Sequence, residues 1–227
     1  MAELKIIDVN QSVYAANDDI ARNVRKQLLE NKTFMINLMA SPGSGKTTLL
    51  LNTIKSLKDK YKIGVMEADI EASVDAQKML DAGVRSIQVH TGGECAMDAQ
   101  MTQQAINEFQ TKDLDLLFLE NIGNLVCPAE QDTGAITNIA ILSIPEGDDK
   151  PLKYPLMFKV CDVVIISKID TRDYFSFDDQ AVVERIHYHN PNAKIFFLSA
   201  KTGEGMDQWI EYLDKLVKKF ICEKVSI

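Results

Sequence analysis

Short runs of almost unbroken apolar residues recur along the chain, and between them apolar positions return every three or four residues. The runs are TFMINLMA (33–40), KIGVME (62–67), SIQVH (86–90), DLLFLE (115–120), NIAILSI (138–144), VVIIS (163–167) and KIFFLS (194–199). Val13, Ile20, Val24 and Leu28 predict an amphipathic helix over 10–31, and similar spacing predicts helices near 46–59, 75–82, 97–110, 178–190 and 206–220. Strands this apolar are buried on both faces. Alternation with helices makes their pairing parallel, since a parallel connection needs a crossover long enough to hold a helix. The expected fold class is therefore α/β, a mostly parallel sheet with helices on both faces. No repeat, low-complexity tract or linker divides the chain, so residues 1–227 are expected to form a single domain with an N-terminal helix.

The first run leads into MASPGSGKTT (39–48), between a predicted strand and a predicted helix. Such a loop turns successive backbone N–H groups toward anionic oxygens at the positive end of the helix. Gly43, Ser44 and Gly45 would form this cradle with the N–H groups of Lys46, Thr47 and Thr48. Lys46 would reach the β- and γ-phosphates, and the Thr47 hydroxyl would ligate Mg²⁺. The usual pattern begins with Gly where this chain has Ala40. A glycine-rich turn without a ligand is the alternative, and the Gly-Lys-Thr ending with these flanks argues against it.

Base choice is written further on. VVIIS ends in Ser167-Lys168-Ile169-Asp170, similar to the Asn/Thr-Lys-x-Asp guanine motif. A carboxylate there accepts from guanine N1–H and the N2 amino group, which adenine lacks, a discrimination worth roughly 1–3 kcal/mol. The stem of Lys168 would cover the base plane. After the next strand, Ser199-Ala200-Lys201 matches the loop whose backbone meets guanine O6 in GTPases. Ser167 is shorter than Asn, so weaker base or loop contacts are expected at that position. The implied cofactors are GTP/GDP and Mg²⁺.

ENIGNLVCPAE (120–130) follows an apolar strand. In P-loop NTPases an acid so placed holds the Mg²⁺ shell or positions water. Glu120 takes that role here, and Gly123 would offer its N–H to the γ-phosphate; a solvated strand cap is the plainer alternative for Glu120. The segment then reads as a nucleotide-sensing switch with Cys127 on it. Cys95, in TGGECAMDAQM, is expected to open a helix whose dipole stabilises a thiolate. Metal ligation by thiolate is favoured for it over structural burial or redox chemistry. Nucleophilic catalysis would want a histidine base, and the chain has only His90, His187 and His189. Cys161, at the start of an apolar strand, is expected only to pack, and Cys222, near the C-terminus, to pack or to have no role.

Composition narrows the classes. The 227 residues are 46% hydrophobic, enough for a substantial core, and carry a formal net charge of −8. That charge argues against nucleic acid or an anionic membrane as partner. No apolar run reaches the roughly 18 residues of a membrane span, and MAELKIIDVNQ lacks the features of a secretory signal. A cytoplasmic protein is expected.

Taken together, SPGSGKTTLL, EADIEASVDAQ, TGGECAMDA, LLFLENIGNLVCPAE, SKID and SAKTGEGMDQW fall in an order that resembles the nickel-insertion GTPases of hydrogenase maturation, the HypB family. The resemblance implies a P-loop NTPase of SIMIBI type. It further implies a homodimer in the GTP state with a Ni²⁺ or Zn²⁺ site at its interface, Cys95 and Cys127 being ligands. Hydrolysis would couple to metal delivery into a hydrogenase large-subunit precursor, with a partner nickel metallochaperone. Asp69 and Asp75 match family acids near Mg²⁺ and the γ-phosphate, which makes Lys46, Asp75 and Glu120 the expected catalytic set; as plain loop caps, the two aspartates would do neither. The family's Cys-His is Cys95-Ala96 here, and Ala96 cannot ligate; Glu94 and Asp98 are oxygen candidates for completing the site. A cysteine- or histidine-rich N-terminal segment, carried by some members, is lacking. A GTP-gated binding module and a metal-independent relative are the competing readings.

Overall fold

A computed structural model of the protein describes residues 9–69, 79 and 81–222. Its strands are β1 (Phe34–Ala40), β2 (Ile63–Asp69), β3 (Arg85–His90), β4 (Leu116–Glu120), β5 (Thr137–Ser143), β6 (Val163–Ser167) and β7 (Lys194–Phe197). Among the described residues they form one sheet in the order β3-β2-β4-β1-β5-β6-β7. Every pairing is parallel, so the sheet is wholly rather than mostly parallel. Each apolar run of the sequence is a strand, with no end moved by more than two residues. The last run stops at Phe197 because the following residues turn into a loop closed by Ser199 N–H on the Glu204 carbonyl, at 2.9 Å.

The helices are α1 (Val9–Asn31), α2 (Lys46–Leu57), α3 (Ala99–Phe109), short pieces α4 (Cys127–Glu130), α5 (Lys150–Lys153) and α6 (Pro155–Val160), then α7 (Asp179–His189) and α8 (Met206–Cys222). The short pieces escape a periodicity reading, since one turn holds no repeat; proline in the first turn of each marks them instead. The helix expected over 75–82 lies largely outside the described residues, as does the side chain of Val13.

Strand alternation sorts β1 between two cores. Ile36, Leu38 and Ala40 pack with Leu50 and Ile54 of α2 and with Trp209 and Leu213 of α8. Met35 faces the opposite side, with Val24 and Leu28 of α1 and Ile106 and Phe109 of α3. On that same side further along the sheet, Met157 and Phe158 of α6 and Val182 and Ile186 of α7 cover β5 and β6. Cys161 is fully buried there, as expected, and burial pushes its thiol well above the ordinary range. Cys222 is exposed. No described helix is long and apolar enough to cross a membrane.

Chain order reverses on either side of β1, so β1 and its neighbours β4 and β5 open a crevice at their carboxyl ends, where ligands of such sheets bind. Between β3 and β4, β2 is closely covered: a Cβ at Gly64 would lie 2.4 Å from Phe109 Cε1 and 2.6 Å from Leu114 Cδ1. Gly64→Ala is therefore expected to lower unfolding free energy by about 1–3 kcal/mol, measured as a lower urea midpoint at unchanged slope.

Candidate functional site

Between β1 and α2 the chain turns on two glycines with left-handed backbone, Gly43 at φ +74° and Gly45 at φ +98°. A Cβ on Gly43 would meet nothing within 4 Å, so conformation and not space demands glycine there. Gly45 caps α2 without a side-chain bond, which leaves the helix N–H groups directed at the crevice. The cleft above them, about 630 Å³, is lined by Gly43, Gly45, Lys46, Thr47, Thr48, Glu67, Glu120 and Gly123 among others.

The acid end of β4 meets this loop directly. Thr47 Oγ1 donates to Glu120 Oε1 at 2.7 Å, and Glu120 is only 8% exposed. Glu67 stands beside it, in register on β2 and also buried. Sequence reading passed over Glu67, although it ends the run KIGVME just as Glu120 ends DLLFLE. A hydroxyl and two carboxylates are hard oxygen donors, and two buried acids side by side favour a cation between them, so these residues fit Mg²⁺. Asp69 ends β2 with its side chain outside the described residues, and Asp75 lies outside them altogether. Gly123 presses on the phosphate loop: a Cβ there would lie 2.9 Å from Pro42 Cγ and 3.1 Å from Pro42 N.

A second cavity, about 230 Å³, opens beside the first and includes Ser44, Leu49, Lys168, Asp170, Ser199, Ala200 and Lys201 in its wall. Lys168 adopts a left-handed backbone, φ +59°, and its Nζ donates to the Gly43 carbonyl at 2.6 Å. The stem thereby crosses the cavity between loop and base wall. Ser199, fully buried, donates to Asp170 Oδ1 at 2.6 Å and holds the carboxylate in place. The Ala200 carbonyl accepts from the Asn52 amide of α2. Against expectation, Ser167 keeps its tie to the phosphate loop, for its Oγ donates to the Ser44 carbonyl at 2.7 Å. The shorter side chain suffices because β6 brings it within reach. The Asp170 carboxylate, the aliphatic stem of Lys168 and the N–H groups of the phosphate loop can together hold a guanine base and its phosphates.

The thiols depart further from expectation. Cys95 does not open a helix: α3 begins at Ala99, because Asp98 caps it by accepting from Met101 N–H at 2.7 Å. Cys95 lies instead in the preceding turn, held by Thr91 Oγ1 on the Glu94 carbonyl at 2.8 Å. Asp98 Oδ1 is thereby engaged as the cap of α3. Cys95 and Cys127 are joined as a disulfide, with Cα atoms 6.0 Å apart. A bridged pair offers no thiolate, so the expected ligand pair corresponds to the reduced protein only. No group of three or more His, Cys, Asp or Glu side chains gathers as a metal cluster among the described residues. Ala96 is buried, so its methyl group faces protein. Cys127 is placed by Asn124, whose Oδ1 accepts from Val126 N–H at 2.7 Å and from Cys127 N–H at 3.3 Å, and whose Nδ2 lies 3.4 Å from Cys127 Sγ.

Comparison with known proteins places the chain among relatives of the same fold. Residues 33–197 match the family model described as CobW/HypB/UreG, nucleotide-binding domain. The hydrogenase maturation factor HypB of Escherichia coli strain K12 is 40% identical over 214 residues, 94% of this chain and 74% of its own length. A crystal structure of HypB from Helicobacter pylori in complex with nickel superposes with a TM-score of 0.85 at 36% identity, covering 93% of this chain and all of that one. HypB from Archaeoglobus fulgidus superposes with a TM-score of 0.83 at 34% identity, covering 89% and 99%.

Two substitutions test the geometry. Gly123→Ala forces Pro42 to shift and is expected to weaken guanine-nucleotide binding about tenfold, read by titration with a fluorescent analogue, with little change in melting temperature. Ser199→Ala frees the Asp170 carboxylate and is expected to narrow the preference for guanine over adenine nucleotides by about fivefold in the same titration.

Proposed function

The chain belongs to the HypB family of hydrogenase maturation factors, and from that premise we propose that it hydrolyses GTP to switch a nickel-handling thiol pair during [NiFe]-hydrogenase maturation. One observation carries the proposal. Glu120, bonded to Thr47, and Gly123, packed on Pro42, lie on the same short segment as Cys127. A γ-phosphate in the cleft would meet that segment and a diphosphate would not. A ligand shifts a conformational equilibrium only through such differential contacts.

In this reading Lys46 and the loop N–H groups hold the β- and γ-phosphates, and Asp170 with Lys168 selects guanine. Thr47 and Glu120, with Glu67 and Asp69 nearby, hold Mg²⁺, which when bound neutralises charge developing on the phosphates. Glu120 and Asp75 order the attacking water. Nickel is cargo. In the reduced protein Cys95 and Cys127 supply two thiolates per chain, and two chains about a symmetry axis supply four. Such a set suits tetrahedral Zn²⁺ and also accepts Ni²⁺ in planar form. Dimerisation in the GTP state has an apolar surface to use: Leu152 on α5 and Leu156 on α6 are exposed, and so is Val126 next to Cys127. A hydrogenase large-subunit precursor and a nickel metallochaperone are the partners.

A GTP-gated module without a metal is the second reading, favoured by the disulfide and by Ala96. Metal titration of reduced protein in its GTP and GDP forms, with mass followed by light scattering, separates the two. The first reading expects one nickel per dimer, tighter with GTP and with affinity rising with pH as the thiols deprotonate. Cys95→Ala and Cys127→Ala are each expected to abolish it at unchanged GTP affinity. Nickel bound equally well after Cys127→Ala would leave the thiol structural. Lys46→Ala should slow GTP turnover by at least about 10²-fold, and equal turnover of GTP and ATP by the unaltered protein would defeat the enzymatic reading.

A further inference from the structure

We propose that Asn121 and Asn17 are positioning residues for the thiol pair: two side-chain amides that clamp the turn carrying Cys95 onto the segment carrying Cys127. The proposal rests on the reading of the two cysteines as one functional pair, and goes beyond it by saying what sets their distance.

Asn121 follows Glu120 directly and is 1% exposed. Its Oδ1 accepts from Met97 N–H at 3.1 Å and from Ile122 N–H at 2.9 Å. Both partners are donors, so the atom facing them is the oxygen and the amide orientation is determined. Its Nδ2 donates to Asn37 Oδ1 at 3.1 Å, and Asn37 Nδ2 donates in turn to Asn138 Oδ1 at 3.1 Å. Three amides thus run in line from the carboxyl end of β4 through the middle of β1 to the amino end of β5, and at the crevice the line ends on the backbone of the Cys95 turn. Asn17 does the same from α1. Its Oδ1 accepts from Ala99 N–H at 2.9 Å while its Nδ2 donates to the Asp132 carbonyl at 2.9 Å.

The turn therefore hangs by the N–H groups of Met97 and Ala99: the first is held by Asn121, which belongs to the Cys127 segment itself and is braced on β1 through Asn37, and the second by Asn17, whose other end is fixed on the Asp132 carbonyl five residues beyond Cys127. At Asn17 the bridge between two backbones needs a side chain that carries a donor and an acceptor together and is long enough to reach both. A carboxylate lacks the donor, and an alkyl side chain lacks both. Because Asn121 adjoins Glu120, whatever moves Glu120 also pulls on the backbone two residues from Cys95.

The test is metal-free, so failure of nickel binding and failure of the clamp are separate results. Reduced protein is equilibrated in glutathione buffers: the two thiols yield two electrons and two protons to glutathione disulfide, which leaves as two glutathione molecules. The bridged fraction, read by mass after alkylation, gives the effective concentration of one thiol at the other. Asn121→Ala and Asn17→Ala are each expected to lower it by about fivefold, and Asn17→Ala, away from the nucleotide cleft, does so at unchanged GTP affinity. Asn17→Asp keeps the acceptor for Ala99 N–H and adds charge at the α3 N-terminus, so it would restore a mere helix cap. For a clamp it stays as low as Asn17→Ala, since the donor to Asp132 is gone. Wild-type closure in Asn17→Ala, or recovery in Asn17→Asp, overturns the proposal. Asn17 is only half-buried, so this arm stands even where Asn121→Ala impairs folding.

Discussion

Parallel pairing of β1 with β4 is the constraint from which the site follows. Its register sets Leu38 opposite Glu120, so the carboxylate ends level with the start of the phosphate loop. Side chains alternate along a strand, and Phe118 and Glu120 face α2 while Leu119 faces α1 and α3. A slip of one residue would turn Leu119 toward Thr47 and carry Glu120 to the opposite face. The apolar packing on both sides forbids that slip. The placement of an acid beside the Thr47 hydroxyl is thus enforced by residues that take no part in binding.

The carboxyl ends of the strands carry a layer of buried polar groups that would be costly if unpaired. Glu120 takes Thr47, Asp170 takes Ser199, Ser167 takes the Ser44 carbonyl, and Asn121 takes Met97 N–H. These bonds join loops from different strands and hold phosphate, base and thiol elements in a fixed relation. Gly123 against Pro42 completes the arrangement with a contact that no larger residue can make without displacing the loop.

Three cysteines show how environment decides the chemistry of one side chain. Cys161 is fully buried among apolar residues, its thiol raised and within 4.0 Å of the Met157 sulfur, so it is inert packing. Cys95, on an exposed turn, and Cys127, at the start of α4, meet each other. Bridged, they exclude a metal; reduced, they offer two soft ligands without the imidazole that Ala96 replaces. In the proposed metal site, the oxidation state of the pair would decide whether thiolate ligands are offered at all.

The sequence by itself determined the strands, the long helices, the phosphate loop and the guanine motif, because each is written in local terms: apolar runs, helical spacing, glycines where φ must be positive, and a lysine and threonine at a helix start. Cys161 was legible as core for the same reason. What needs distance between remote residues was not legible. Glu67 matters only through its register with Glu120, and Ser167 retains its loop contact only because β6 runs close to the Ser44 carbonyl. The short α4, α5 and α6 carry no period to detect. Whether Cys95 opens a helix was decided by Asp98, a better cap one residue before Ala99. That Cys95 and Cys127 touch at all, and that Asn17 and Asn121 hold their backbones together, followed only from folding, because crossover connections bring segments distant in sequence to the same end of a parallel sheet.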